Sequence, residues 1–538
     1  MANFIDKAVN FFSPARGARR MMVRAATESD QFSRRITSPI NGGYYRGGRN
    51  SRKMSDWSTS GWDADAYIAD AQSQLRDDSN DLMLNNPIAN GAVQTKVTNV
   101  VGSGLTMQSK VDHEFIGMSE EQAIEWQKEA ERHWKLFSVT ADMQLGMTMA
   151  QMQALVYQSI LVSGDIFINM PVKTRKGVMY ETAINLIESH LVSNPGDQPD
   201  TATRKMGIDF DKRGIPKTYW VRQQHPGATP TAQTEKQNNW VAMNVFDRDG
   251  RKLILHIFDR LRPGQSRGVP MLAPIIEPIK KLDTWTEAEI DNAVISSFFT
   301  VFIKTNFASD KVLDVVTNLG DETSAVASDK DLKLASGNIV RLFGDEDVTF
   351  ANPNRPNSNF EVFFKAITQQ IAIALNMPVE VLLKSFNASY TASRGALLEV
   401  WKHFLTHRAW IAKGFCQPIY EAMLYEAIAK GWMSAPGFLT DPLVRMAYSG
   451  SVWVGPELGE LDPLKEAKAR SENISNGTTN EFIETQKKGL DYEQDVFPGR
   501  SRAHQMQEEA GLLVENMQNP VPDTDSENDE DDEEDANA

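Results

Sequence analysis

Two long helical stripes bracket a segment of shorter elements. Leu272, Ile275, Ile276, Ile279, Leu282, Trp285 and Val294 keep helical spacing to about Phe298. Phe360, Phe363, Phe364, Ile367, Ile371, Ala374 and Leu375 do the same, and Asn376 and Pro378 end that run. Between them, 300–357 reads as shorter pieces: a strand over 301–304, a helix near 309–319, a polar loop, and a strand pair around 338–343 and 348–350. The chain therefore carries an insert between two long helices. Pro270 suits a first helical turn. Pro274 and Pro278 do not suit an interior, since each costs about 3 kcal/mol there. Regular helix is expected only from about 278 to 299, about 33 Å at 1.5 Å per residue.

A third helix is expected over 394–430, with Leu397, Trp401, Phe404, Phe415, Ile419 and Met423 on one stripe. Unbroken it spans about 55 Å, but Gly414 and Pro418 predict a kink. The intervening LLKSFNASYTASRG (382–395) is small, polar and aperiodic, and reads as an exposed loop.

With 538 residues, several modules are expected. Residues 61–110 read as helix interrupted by Asn85, Asn86 and Pro87, then a turn at Gly102 and Gly104. An amphipathic helix over 119–137 starts at Ser119, and another over 148–163 stops at Gly164. Strands follow at 165–172, 183–192, 217–221 and 252–258, separated by NPGD and DKRG turns. Residues 61–260 thus form a mixed helix-and-strand domain, and beyond 431 the chain reads as short helices and turns.

Charge is uneven. Residues 1–60 hold eleven Lys/Arg against four acids and read as a basic flexible arm; 522–538 hold ten acids and no base. The whole is −16, so the body is acidic, unlike a protein that grips nucleic acid over its whole surface. The single cysteine, Cys416, forms no intrachain disulfide and no cysteine zinc site. No apolar run is long enough for a transmembrane helix, and the N-terminus lacks a signal-peptide core.

Motifs for catalysis are missing. There is no Walker A loop, GxGxxG, GxSxG, HExxH, DFG or paired CxxC. His403 and His407 sit four apart, a metal-ligating spacing, but no third ligand is evident and they read as helix surface. Asp165, after Gly164, reads as a cap or turn residue. No cofactor is expected.

Six segments in order carry a family resemblance: NNPIANGAVQTKVTNVVGSGL (85–105), LVSGDIFI (161–168) with INLIESHLV (184–192), RPGQSRGVPMLAPII (262–276), RPNSNFEVFFKAITQQIAIALNMPVEVL (355–382), SYTASRGALLEVW (389–401) and WVGPELGELDPLKEAKA (453–469). The chain resembles portal proteins of tailed double-stranded DNA bacteriophages, of the lambda type, from about residue 60 to 515. That resemblance implies a non-enzymatic α+β subunit of a ring, commonly a dodecamer, at one capsid vertex. DNA enters and leaves through the ring. The terminase large subunit docks during packaging, head-completion and connector proteins replace it, and major capsid and scaffold proteins surround it, with assembly in the host cytoplasm and no membrane.

It also implies a layout: wing over 61–262, first stem helix over 263–299, clip over 300–357, second stem helix over 358–382, tunnel loop over 383–393, long kinked wing helix over 394–430, and a wing and crown region over 431–521. The tunnel-loop candidates facing DNA are Lys384, Asn387, Ser389, Tyr390, Thr391 and Arg394. Arg262, Pro263, Gly264, Gln265, Arg267 and Gly268 form the motif before the stem. The competing reading is a DNA-packaging motor or nuclease subunit, which the missing nucleotide loop disfavours.

Overall fold

Local capping sets the helical half. Ser119 and Thr148 each accept the amide three residues on, while Gln122 and Gln151 reach back, so both helices begin on a capping box. In this computed structural model the described residues are 61–228, 239–248, 250–297, 301–305, 346–350, 360–386, 390–458, 463–487, 492 and 496–509. The elements begin with α1 (Gln72–Asn85), α2 (Pro87–Val100), β1 (Thr106–Ser109), α3 (Glu120–Thr140) and α4 (Met149–Ser163). Then come β2 (Asp165–Asn169), β3 (Asn185–Ile187), β4 (Arg204–Lys205), β5 (Ile208–Phe210), β6 (Pro216–Arg222), β7 (Trp240–Asn244) and β8 (Ile254–Phe258). Next are α5 (Ile276–Ser297), β9 (Val301–Thr305), β10 (Glu346–Phe350), α6 (Phe360–Ala374), α7 (Val379–Leu383), α8 (Tyr390–Ile411), α9 (Gln417–Ala429), α10 (Pro442–Tyr448) and β11 (Ser451–Val454). Short helices close the described chain at Pro463–Ser475, Glu481–Lys487 and Phe497–Glu509.

The strands form small antiparallel sheets in the orders β3-β2-β8 and β4-β5-β6-β7, with pairs β1-β11 and β9-β10. β2 lies between β3 and β8, with Phe167 opposite both Ile187 and His256. The helices pack into one large core whose fully buried members include Val93 of α2, Phe137 of α3, Met152 and Tyr157 of α4, and Phe415 and Met423 around α9. A second cluster, with Phe167, Ile208 and Tyr219, fills the space between the two larger sheets.

α2 is tied at both ends. Asn86 caps it, accepting the Ala89 amide, and its Nδ2 donates to Asp283 of α5 at 2.8 Å. At the other end Arg408 of α8 donates to the carbonyls of Val100 and Asn99 at 3.1 and 2.9 Å. A guanidinium there satisfies open carbonyls and complements the helix dipole. Gly102, at φ 59°, turns the chain where an added Cβ would strike Pro456.

Several expectations need correction. The long helix starts earlier than expected: a 3₁₀ turn over Ala273–Ile275 absorbs Pro274, and α5 begins at Ile276. Pro278 then sits in its first turn, where no intrahelical N–H bond is lost. The strand expected over 183–192 is only β3, because the chain turns into 3₁₀ at Ser189–Leu191. The loop expected over 382–395 is shorter, since α8 already begins at Tyr390. β10 pairs with β9, and 338–343, the partner expected for it, lie outside the described residues, as do the basic arm, the helix expected near 309–319 and the acidic tail. The expected irregularity at Gly414 and Pro418 is a π-turn over Ala412–Cys416 between α8 and α9. The wider turn makes room for the Pro418 ring, which cannot follow a regular α-helical turn.

Candidate functional site

The segment before α5 enters a buried charge cluster. Asp165 opens β2 and is fully buried. Its Oδ2 accepts from Arg267 Nε at 2.6 Å, His256 Nε2 at 3.2 Å and the Gly268 amide at 3.1 Å. Its Oδ1 accepts from Arg76 Nη2 at 3.1 Å and Arg267 Nη2 at 3.3 Å. Arg267, 1% exposed, uses its remaining donors on the carbonyls of Val192, Met206 and Ser189. All five guanidinium N–H groups are thus matched. Arg76 Nε reaches the Ser163 carbonyl at 3.0 Å. One carboxylate therefore joins α1, the end of α4, the β3-β2-β8 sheet and the loop leading to α5.

Burial works against the Asp165 charge, yet Arg267 and Arg76 hold its carboxyl well below the usual range. Burial lowers Arg76 to about 10 and His256 to about 4. His256 is therefore a neutral donor, stacked on Phe167 with ring centroids 4.1 Å apart. Asp165 is neither a cap nor a turn residue, as its position after Gly164 suggested. It neutralises two buried cations.

The glycines explain the close approach. A Cβ on Gly268 would lie 2.0 Å from the Gly164 carbonyl oxygen, and one on Gly164 would lie 2.6 Å from Val269 backbone. Gly164 also holds φ at 87°. The two backbones pass at a distance only glycine allows. Gln265 is buried; its Oε1 accepts the Leu261 and Arg262 amides and its Nε2 donates to the Arg267 carbonyl. Ser266 is held by Asp65, through its amide at 2.7 Å and its hydroxyl at 2.8 Å. Arg262 lies over the Tyr67 ring, and Pro263 and Gly264 line an open cleft of about 840 Å³. The motif is a fastening for the root of α5, a role its sequence alone did not disclose.

From that root, α5 and α6 form a helical pair. Leu272, Ile275, Ile279 and Leu282 are buried at the foot of α5, as are Ile371, Ala372 and Leu375 at the end of α6. Trp285 stacks on Phe360 at 4.7 Å and meets Phe363 edge-on at 4.8 Å. Large apolar side chains stay exposed along the pair: Ile290 at 57%, Val362 at 69% and Ile373 at 70%. β9 leaves α5 and β10 returns towards α6 as an antiparallel pair, Val301 opposite Phe350.

The tunnel-loop candidates fall in three settings. Lys384 ends α7 at φ 53° and is exposed. Asn387 and Ser389 lie outside the described residues. Tyr390, Thr391 and Arg394 belong to the first turns of α8, with Arg394 half-buried. Arg394 is therefore a helix residue, because the small residues of SYTASRG extend the helix rather than end it. His403 and His407 are not plain helix surface either. His403 Nε2 lies 2.8 Å from Lys96 Nζ, and His407 Nδ1 lies 3.1 Å from the Tyr157 hydroxyl. Burial lowers Lys96 to about 8, His403 to about 3 and His407 to about 4. Cys416 is buried, and burial pushes its thiol up. No helix of the described residues is long and apolar enough to cross a membrane.

Sequence reasoning missed Asp65, Arg76 and His256, and misjudged Asp165. Their partners come from segments far apart in the chain. The available signal was a charged residue opening an otherwise apolar strand, since a buried charge requires partners.

A family match sets the class to which this rooted helical pair belongs: a phage portal protein. Residues 50–408 match the family described as "Phage portal protein, lambda family", and the chain belongs to that family. Portal protein B of Escherichia phage lambda is 22% identical over 493 residues, covering 87% of this chain and 91% of the relative. The portal protein of Escherichia phage N15 is 21% identical over the same shares. A solved chain from the neck of an empty GTA particle is 14% identical, with a TM-score of 0.40, and matches over 77% of this chain and 94% of that one. Portal proteins are structural components of the virion at the capsid vertex and are not enzymes.

Proposed function

We propose that the chain assembles into a ring of about twelve copies around a DNA channel, with closed rotational symmetry. The observation that carries this reading is the contrast along α5 and α6: apolar feet buried in the subunit, and apolar residues exposed further along, at Ile290 and Val362. Exposed apolar surface of that kind marks an interaction site, and neighbouring copies in a ring would cover it.

In this reading α5 and α6 are the stem helices, the insert over 300–357 is the clip, α8 and α9 form the kinked wing helix, and the region after 431 is the wing and crown. The clip is the docking site for the terminase large subunit and later for head-completion and connector proteins. Major capsid and scaffold proteins contact the ring when it enters the shell, which assembles in the host cytoplasm. Double-stranded DNA transits without sequence recognition.

The tunnel loop follows α7 at Lys384 and carries Asn387 and Ser389, and the first turns of α8 add Tyr390, Thr391 and Arg394 to the DNA-facing set. An acidic chain, −16 overall, suits a passage rather than a clamp. Charges act on DNA only within a screening length of about 8 Å, and every phosphate neutralised strengthens binding and would slow a moving duplex. Deleting 385–389 tests the loop: ring assembly is expected to persist while packaged, retained DNA falls. Normal packaging and retention by the deletion would refute the channel role.

A further inference from the structure

A cluster away from the helical pair has the make-up of a metal site. Glu188 and His190 follow β3, His225 follows β6, and their ligand atoms all lie within 4.8 Å of one another. His190 Nδ1 is 3.5 Å from Glu188 Oε1, and His225 Nε2 is 3.7 Å from Glu188 Oε2. A tetrahedral ion with bonds of about 2.1 Å holds its ligands about 3.4 Å apart. The side chains already stand near that spacing.

The second observation is the orphaned nitrogen of His190. Its side chain is only 6% exposed. Nε2 faces Asp77 Oδ1 at 3.2 Å and donates its proton there, while the buried Nδ1 has no hydrogen-bond partner. With its proton on Nε2, the neutral ring carries a lone pair on Nδ1. That lone pair confronts a carboxylate oxygen, so two acceptors face each other. A cation between them satisfies both. A carboxylate that takes the far N–H of a histidine and aims its other nitrogen is the usual outer support of a metal ligand. Arg76, the neighbouring cation, directs its donors at Asp165 and the Ser163 carbonyl.

We infer that Glu188, His190 and His225 bind one borderline divalent cation of the zinc class, with Asp77 orienting His190 and water completing the shell. Two nitrogens and a carboxylate suit such an ion better than magnesium or calcium. The Gly227 amide donates to His225 Nδ1 at 3.0 Å, which leaves the proton of the neutral ring on Nε2. Binding moves that proton to Nδ1 and releases the Gly227 amide, so the turn over 225–228 shifts when the ion enters. The ion would clamp the β3-β2-β8 sheet to the β4-β5-β6-β7 sheet, beside the bridge between Val192 and Val221.

The test uses untagged full-length protein, stripped with a chelator and dialysed against Zn²⁺ at pH 7.5, with bound metal read by mass spectrometry. One zinc per chain is expected, with a higher melting temperature than in chelator, as for any ligand that binds the folded state. H225A and E188Q should each weaken binding at least tenfold, and D77N by about 10–100-fold, while their melting temperatures in chelator stay near that of the parent. A double H403A/H407A variant should keep the zinc. Absence of stoichiometric zinc, or undiminished binding in either H225A or E188Q, would overturn the assignment.

Discussion

The root of α5 and its outer length obey opposite rules. At the root, Asp165, Arg76, Arg267 and His256 are buried, and the carboxylate bonds all three of the others within one subunit. Further along, Ile290 and Val362 stand exposed. The first region is finished by folding; in the ring reading, the second is finished by assembly. Substitutions at the root should therefore destroy the subunit, and substitutions on the outer length should spare it and destroy the ring.

The largest effect should come from D165A. It leaves two guanidinium groups buried without their carboxylate, and breaking a buried pair costs about 3–5 kcal/mol. Chemical denaturation should show that loss, or the variant should fail to accumulate in soluble form. G268A comes next, because its Cβ would collide with the Gly164 carbonyl. Both backbones would have to part, and a melting temperature lowered by several degrees is expected. V362D combined with I290D should leave melting of the isolated subunit nearly unchanged while abolishing rings, as read by light scattering. Equal damage to subunit stability from the two kinds of variant would break the comparison.

Acid should weaken the root. Burial places His256 at about 4 in the folded chain, below its ordinary 6.5. Between those values the unfolded chain takes up a proton that the folded chain refuses. This contribution is whole above about pH 6.5 and is lost as pH falls towards about 4, at about 1.4 kcal/mol per pH unit for one such group. His403 and His407 act in the same direction. Urea denaturation from pH 8 to 5 should show the combined slope, and H256Q should reduce it by one group's share. The smallest effect on the subunit is expected for K384E. Stability and ring size should not change, and any defect should appear only in DNA packaging.

The helical frame was legible because its signals are local. Ser119, Thr148 and Gly164 mark helix ends within three residues of themselves, and the stripes at 272–294 and 360–375 repeat over several turns. The insert was legible for the same reason, as a break between stripes. The sheets were less so. β4 and β5 are two and three residues long, too short for alternation to show. β1 pairs Thr106 with Val454, a partner no local pattern indicates. The start of α8 was misread because Ser, Ala, Thr and Gly carry no apolar period, and its helical state is set by the longer run that follows. Arg267 was singled out by its motif, but its partners Asp165, Arg76 and the carbonyls of Val192 and Met206 come together only through the fold.

The central claim is that the exposed length of α5 and α6 closes a ring. Negative-stain electron microscopy of the purified full-length protein, alone and with capsid and scaffold proteins, tests it most directly. The account predicts particles with a central hole and about twelvefold symmetry, absent in the I290D/V362D variant. Monomers or dimers that persist in the presence of those partners, or unaltered rings from the variant, would contradict it.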